Sequence, residues 1–137
     1  MSHTCRSLII HCMDFRFIRQ LTDYFAKAGH LGNADFVGWA GAGKAFLDPA
    51  GRDFVMHQVE LSKQLHNIDE VHVVNHLDCG AYGGSKAFPD QTVERAKHLA
   101  DLKAVRQTIQ QRFPHLEVFG YLASLSGDAV TVEKLTL

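Results

Sequence analysis

Two short segments carry side chains whose types and spacing are suited to chemistry. In "CMDFR", Cys12, Asp14 and Arg16 lie directly behind an apolar run, and in "HLDC" His76 lies three residues before Cys79. Two thiolates and one imidazole suit a tetrahedral zinc ion whose fourth position stays open, which is the arrangement of catalytic zinc sites. Because a lone cysteine at a strand end is more often a small core residue, the zinc prediction depends on both segments meeting at one place.

Asp14 and Arg16 form a second functional feature beside the first cysteine. On their own they would be ordinary polar residues in the first turn of a helix. Beside an open zinc site, the Arg16 guanidinium can hold the Asp14 carboxylate ionised through a two-pronged hydrogen bond. Asp14 can then accept the proton of a zinc-bound hydroxide and orient that nucleophile. We therefore predict Asp14 and Arg16 as catalytic residues.

A cysteine-phosphatase signature is the alternative interpretation of the first segment. It requires His-Cys, five residues and then Arg, whereas here Ile18 occupies that position and Arg19 comes one residue late. The intervening residues are bulky rather than glycine-rich, and the acidic Asp14 would repel phosphate. Spacing and charge both disfavour a phosphatase.

Apolar runs alternate with helical patterns and place both segments at strand ends. Strands are predicted over 7–12, 34–41, 70–76 and 116–123, helices from Phe15 to Ala28, from Asp48-Pro49 and from Thr92 to Arg112, and a returning edge strand over 129–135. This alternation predicts an α/β three-layer sandwich with a mostly parallel central sheet and an antiparallel C-terminal edge strand. Ligands bind such sheets beyond the carboxyl ends of the strands, where the strand order reverses. If the first and third strands are neighbours, Cys12, His76 and Cys79 converge there.

The two longer helices are each predicted to bury one apolar side against the sheet. For the second helix, the expected packing face comprises Phe54, Leu61 and Leu65, widened by Val55 and Val59. For the third helix, the expected face comprises Val93, Ala96, Ala100, Val105 and Ile109.

Composition and charge limit the classes of protein to which the chain can belong. Its 137 residues suffice for one domain, predicted over 1–137, and a net charge of -1 does not favour a nucleic-acid partner. No apolar stretch approaches the ~20 residues of a membrane span and no secretory signal is recognisable, so we expect a cytoplasmic protein without a membrane partner. Three cysteines are a poor disulfide framework. Cys5 shows no partner signal, and His11 should face away from Cys12.

The paired motifs resemble those of a known family. "CMDFR" together with "HLDCG" is similar to the C-x-D-x-R and H-x-x-C-G motifs of β-class carbonic anhydrases, especially their short prokaryotic members. The resemblance extends along most of the chain in element order. It implies one Zn²⁺ per chain held by Cys12, His76 and Cys79, beside the dyad of Asp14 and Arg16. It further implies a zinc lyase (carbonate dehydratase) that reversibly hydrates carbon dioxide to bicarbonate, and a homodimer or higher homo-oligomer.

One segment departs from the family pattern. Typical members carry an Arg-Asn-Ala-Gly-like stretch after the second strand, whereas this chain has "GWAGAG". Ala40 and Gly41 match the small residues, but Gly38 and Trp39 replace polar ones. Two further interpretations therefore stay open: a hydrolase of carbonyl sulfide or carbon disulfide on the same fold, and a zinc-binding protein without turnover.

Overall fold

The described part of the chain alternates strands and helices. The computed structural model describes residues 3–137. Its elements are β1 (Ser7–Cys12), α1 (Ile18–Lys27), β2 (Ala34–Trp39), α2 (Arg52–His66), β3 (Glu70–His76), α3 (Gln91–Arg112), β4 (Glu117–Ser126) and β5 (Ala129–Leu135). Within residues 3–137, no helix combines the length and the apolar composition that a membrane span needs.

The five strands form one sheet in the order β2-β1-β3-β4-β5. β1 pairs in parallel with both β2 and β3, β4 is parallel to β3, and β5 returns antiparallel along the outer edge of β4. The predicted mostly parallel sheet and its antiparallel edge strand are therefore confirmed. Since the chain leaves β1 toward one side and reaches β3 on the other, the strand order reverses between β1 and β3.

Helices cover both faces of the sheet and complete three layers. On one face, α1 packs Leu21 and Phe25 against Ile9, Val74 and Tyr121 of the strands. On the other face, α2 and α3 cover a larger core that includes Leu8, Ile10, Val55, Val59, Val71, Val73, Leu102, Val105 and Ile109. Neighbouring residues of β1 enter opposite cores because side chains alternate along a strand. The predicted three-layer α/β sandwich is confirmed.

The predicted packing face of α2 is wrong. Phe54 and Leu65 are 64% and 58% exposed, whereas Val55, Met56 and Val59 are buried. The helix sequence carries two apolar stripes about a third of a turn apart, and the stripe with the smaller β-branched residues lies on the sheet. The helix also begins at Arg52, because residues 48–51 form turns after the predicted Asp48 start.

The predicted face of α3 is wrong in its first half. Val105 and Ile109 are buried as predicted, but Val93 is 43% exposed and the alanines at positions 96 and 100 are exposed. The buried residues of this half are polar: Glu94, His98 and Asp101. A polar loop after β3 packs here, so this half of the helix buries hydrogen-bonding groups rather than apolar ones.

Candidate metal centre

Three predicted ligands meet beyond the carboxyl ends of two adjacent strands. Cys12 is the last residue of β1, His76 is the last residue of β3, and Cys79 follows three residues later. All three are buried, and one ligand atom from each lies within 4.8 Å of the others. The two sulfurs are 4.0 Å apart. The structure thus brings together the set selected from the sequence, here called the carboxyl-end cluster.

The cluster is assembled from both faces of the sheet. Cys12 belongs to the core beneath α2 and α3, whereas the His76 ring lies 4.3 Å, centroid to centroid, from Phe17 on the α1 side. Strand residues on opposite faces can approach one another only where the sheet ends. This geometry explains why Cys12 and His76 occupy the last positions of their strands and why Cys79 lies just beyond β3.

The hydrogen bonding of His76 leaves one ring nitrogen without a partner. Its Nδ1 donates to the backbone oxygen of Leu77 at 2.7 Å, which leaves the lone pair on Nε2. Nε2 is buried and, in the described part of the chain, has no hydrogen-bond partner; the Asp14 Oδ2 atom is 3.7 Å away. A buried polar atom without a partner costs about 1–3 kcal/mol. A metal ion would remove that cost.

The contact between the two thiols makes Cys12 more acidic than Cys79. A hydrogen bond from the Cys79 thiol stabilises the Cys12 thiolate and lowers the pKa of Cys12, and the backbone N–H of Gly41 donates to the same sulfur at 3.4 Å. The same thiol–thiolate contact, with burial, raises the pKa of Cys79. The pair therefore carries negative charge in a buried position, where a cation is strongly attracted.

Gly41 occupies a position that only glycine fits. Its φ is 81°, in the left-handed region, and an added Cβ would lie 2.9 Å from the Cβ of Ala81. This conformation aims the Gly41 N–H at the Cys12 sulfur. The small residue noted in "GWAGAG" thus has a direct role at the cluster.

The remaining unusual residues of that segment serve packing. A Cβ on Gly38 would lie 2.5 Å from Cε1 of His11, so the imidazole needs the glycine. The indole of Trp39 donates to the backbone oxygen of Ala42 at 2.7 Å and packs on the α2–α3 core. Of the segment's central residues, Ala40 lines the cleft over the cluster.

Asp14 and Arg16 form the two-pronged pair that the sequence predicts. Arg16 donates from Nε to both oxygens of Asp14 at 3.0 and 3.1 Å, and from Nη2 to Oδ2 at 2.7 Å. The guanidinium lowers the pKa of Asp14 and keeps the carboxylate ionised. Arg16 also donates to the carboxylate of Asp78 at 3.3 Å and to its backbone oxygen at 3.1 Å. Asp78 was not singled out from the sequence, although it lies inside the "HLDC" motif.

The loop after β3 is held by a buried carboxylate that the sequence analysis missed. Glu94 of α3, 1% exposed, accepts hydrogen bonds from the Asp78 N–H at 2.8 Å and from the Ser85 hydroxyl. Asp78 has a φ of 59°, which is uncommon for a residue with a side chain. Glu94 thereby fixes the backbone between His76 and Cys79. No pattern within the helix distinguishes this glutamate from a solvent-facing one.

An open cleft of about 900 Å³ lies over the cluster. Apolar side chains contribute much of its wall, with Met13 and Phe15 at 65% and 86% exposure. Asp14, Arg16, Asp78 and Lys86 supply the charged part. A small apolar molecule can therefore enter the cleft and reach Cys12, Cys79 and Asp14 at its wall.

Comparisons with known proteins agree with the motifs. Residues 2–133 match the model of a family described as "Putative carbonic anhydrase", and this range contains both motifs. An uncharacterised protein of Rickettsia conorii is 31% identical over 128 residues, covering 88% of this chain and 68% of the relative. An uncharacterised protein of Rickettsia bellii is 28% identical over 127 residues, covering 88% and 77%. Among solved structures, the chain is similar to the β-carbonic anhydrase CafA of Aspergillus fumigatus, with 15% identity, 98% and 76% coverage and a TM-score of 0.49.

Proposed function

We propose that this chain, which belongs to the carbonic anhydrase family whose model it matches over residues 2–133, catalyses the zinc-dependent reversible hydration of carbon dioxide to bicarbonate. The observation that carries the proposal is the buried cluster of Cys12, His76 and Cys79 at the floor of a cleft, with Asp14 beside it. The proposal makes the protein a lyase.

The residues of the carboxyl-end cluster fit a zinc ion. Two thiol sulfurs 4.0 Å apart and one buried imidazole nitrogen without a partner among residues 3–137 match the ligands that zinc prefers. When bound, zinc supplies a Lewis acid that lowers the pKa of water. We assign Cys12, His76 and Cys79 as its ligands, and three protein ligands leave one position of a tetrahedral ion free.

Asp14 is proposed to orient the attacking water. Its Oδ2 atom lies 3.7 Å from His76 Nε2, beside the carboxyl-end cluster, and can accept a hydrogen bond from an O–H group that approaches from the cleft. Arg16 keeps Asp14 ionised and, through Asp78, ties it to the loop that carries Cys79. A rigid acceptor reduces the orientational freedom that the nucleophile must lose before reaction.

The cleft walls suit the proposed substrate. Carbon dioxide is small, linear and without net charge, so Met13, Phe15 and Ala40 can contact it without loss of hydrogen bonds. Lys86 also lines the cleft and can attract bicarbonate, the anionic substrate of the reverse reaction.

Stopped-flow carbon dioxide hydration tests the proposed function. The protein should first be loaded with zinc and its zinc-to-chain ratio measured. Rapid hydration by the loaded protein supports the proposal. If the loaded protein hydrolysed carbonyl sulfide but did not hydrate carbon dioxide, carbonyl sulfide would be the substrate instead, because the apolar cleft accepts both molecules. A full zinc complement with neither activity would contradict an enzymatic role.

A further inference from the structure

Cys5, which the sequence analysis left without a role, lies in a second group of metal-ligating side chains. Ligand atoms of Cys5, Asp35 and His66 all lie within 4.8 Å of one another. The Nε2 atom of His3 is 3.3 Å from the Nε2 atom of His66. We call these four residues the Cys5 cluster.

The Cys5 cluster is separate from the proposed catalytic site. Cys5 lies just before β1, Asp35 is the second residue of β2, and His66 is the last residue of α2. These positions are at the amino end of the parallel strands, whereas the carboxyl-end cluster lies at the opposite end of the sheet. The two clusters share no residue, so an inference about one does not depend on the other.

The hydrogen bonds within the Cys5 cluster orient one imidazole as a ligand. The Nδ1–H of His66 donates to Asp35 Oδ2 at 2.7 Å, and the Ser62 hydroxyl donates to the same oxygen at 2.6 Å. A carboxylate that fixes one ring nitrogen is the usual support of a metal-binding histidine. It leaves the lone pair of His66 on Nε2, where the Nε2–H of His3 donates an exposed hydrogen bond at 3.3 Å that an ion would replace.

The chemistry of the donor set is that of a zinc site. It offers one thiol and two imidazoles as ligands, with the Asp35 carboxylate supporting His66 from the Nδ1 side of the ring. Cys5, Asp35 and His66 are each partly exposed, so an ion can reach them from solvent.

We propose that the Cys5 cluster binds a second zinc ion, with Cys5, His66 and His3 as ligands and with Asp35 orienting His66. The ion links the segment before β1 to the end of α2 and the start of β2. Its function is structural, and it is independent of carbon dioxide hydration. The rival interpretation is a set of hydrogen bonds that joins α2 to β2 without metal.

Zinc stoichiometry distinguishes the two interpretations. Untagged full-length protein should be stripped with a chelator, dialysed against excess Zn²⁺ and then against zinc-free buffer, and its zinc measured by atomic absorption. We expect about two ions per chain for the unchanged protein and about one for Cys5→Ser and for His66→Gln. Ser62→Ala is the matched control, because it removes a hydrogen bond to Asp35 but no ligand, and it should retain about two.

The proposal is overturned if Cys5→Ser and His66→Gln bind as much zinc as the unchanged protein. Circular dichroism of each variant checks that it is folded. Because the two substitutions lie in different elements of the fold, loss of zinc from both would not be explained by one local distortion. A Cys12→Ser variant should still bind about one ion per chain, at the Cys5 cluster. Loss of all zinc from that variant would also contradict the second site. Neither result depends on whether the protein hydrates carbon dioxide.

Discussion

The two ends of β3 carry buried histidines whose ring nitrogens are satisfied differently. At the carboxyl end, His76 Nε2 is buried without a hydrogen-bond partner in the part of the chain that the structure describes. Near the amino end, both nitrogens of His72 are satisfied, Nδ1 by the Tyr121 hydroxyl and Nε2 by Glu70, each at 2.8 Å. His30, Glu70 and His72, here the amino-end cluster, also have ligand atoms within 4.8 Å of one another.

The comparison of these two clusters shows that proximity of ligand atoms alone does not identify a metal site. In the amino-end cluster a metal ion would have to displace a buried hydrogen bond of His72, because both of its ring nitrogens are occupied. At the Cys5 cluster an ion would replace only the exposed 3.3 Å contact between His3 and His66. In the carboxyl-end cluster an ion would satisfy a buried nitrogen that has no partner among residues 3–137. We therefore interpret the amino-end cluster as structural and assign the proposed catalytic zinc to Cys12, His76 and Cys79.

The largest expected effect comes from removing a ligand. Cys79→Ser should lose about one zinc ion per chain and at least about 1,000-fold in hydration rate, because the nucleophile depends on the metal. The matched change in the amino-end cluster, His72→Gln, should leave the zinc content and the hydration rate unchanged. Atomic absorption and stopped-flow hydration check both variants. If His72→Gln lost zinc while Cys79→Ser kept it, the proposed catalytic zinc would belong to the amino-end cluster instead.

The next largest effect on the hydration rate is expected from Asp14, which lies beside the carboxyl-end cluster. Asp14→Asn keeps the shape of the side chain but loses the charge that accepts a hydrogen bond and pairs with Arg16. We expect hydration to fall by about 10–100-fold while zinc remains bound, as is common for residues that support a metal site. An Asp14→Asn protein with full activity at full zinc loading would refute the orienting role.

Acid should weaken the amino-end cluster. Burial lowers the pKa of His72 to about 4, against about 6.5 for a free histidine. Between these values the unfolded chain binds a proton at His72 that the folded chain does not, so the free energy of unfolding falls as pH falls. Glu70 opposes the shift, whereas protonation of His30 and the charge of Lys134 would add to it. The expected loss from His72 alone is about 2 kcal/mol between pH 7 and pH 5.

Urea unfolding at a series of pH values measures this loss, with His72→Gln as the control. The variant should show a shallower dependence on pH. Part of the dependence should remain, because burial also lowers the pKa of His98 to about 4. Identical pH dependence in the two proteins would mean that His72 does not titrate as its burial implies.

The smallest expected effect on the carboxyl-end cluster comes from the backbone at Gly41. Gly41→Ala adds a Cβ that clashes with Ala81 at a positive φ, whereas Gly29→Ala meets a positive φ with nothing within 4 Å. We expect a cost of about 2 kcal/mol for the first and about 1 kcal/mol for the second. Thermal unfolding measures both, and only Gly41→Ala should weaken zinc binding. If Gly41→Ala and Gly29→Ala had equal effects on zinc affinity, the contact between the Gly41 N–H and the Cys12 sulfur would be unimportant for metal binding.

Much of the fold follows from local patterns in the sequence. β3 was predicted over 70–76 and spans Glu70–His76, because a run of apolar β-branched residues bounded by polar ones has few alternatives. Cys12 and His76 were placed at strand ends on the same grounds. Their meeting required β1 and β3 to be neighbours, and the strand order confirms that.

The remaining features depend on tertiary contacts that no local pattern carries. Glu94 is buried because the loop after β3 needs a carboxylate, yet its helix position looks solvent-facing from sequence. Cys5 shows no signal because Asp35 and His66 come from distant segments. The choice between the two apolar stripes of α2 is likewise decided by fit to the sheet rather than by periodicity.

X-ray absorption at the zinc edge tests the central claim most directly. In the Cys5→Ser protein, Cys12 and Cys79 are the only remaining cysteines, so the sulfur ligands of a bound ion identify its site. With one equivalent of zinc, we predict two sulfurs at about 2.3 Å and an imidazole nitrogen at about 2.0–2.1 Å. A zinc ion bound by nitrogen and oxygen alone would contradict the assignment of the carboxyl-end cluster as the metal centre.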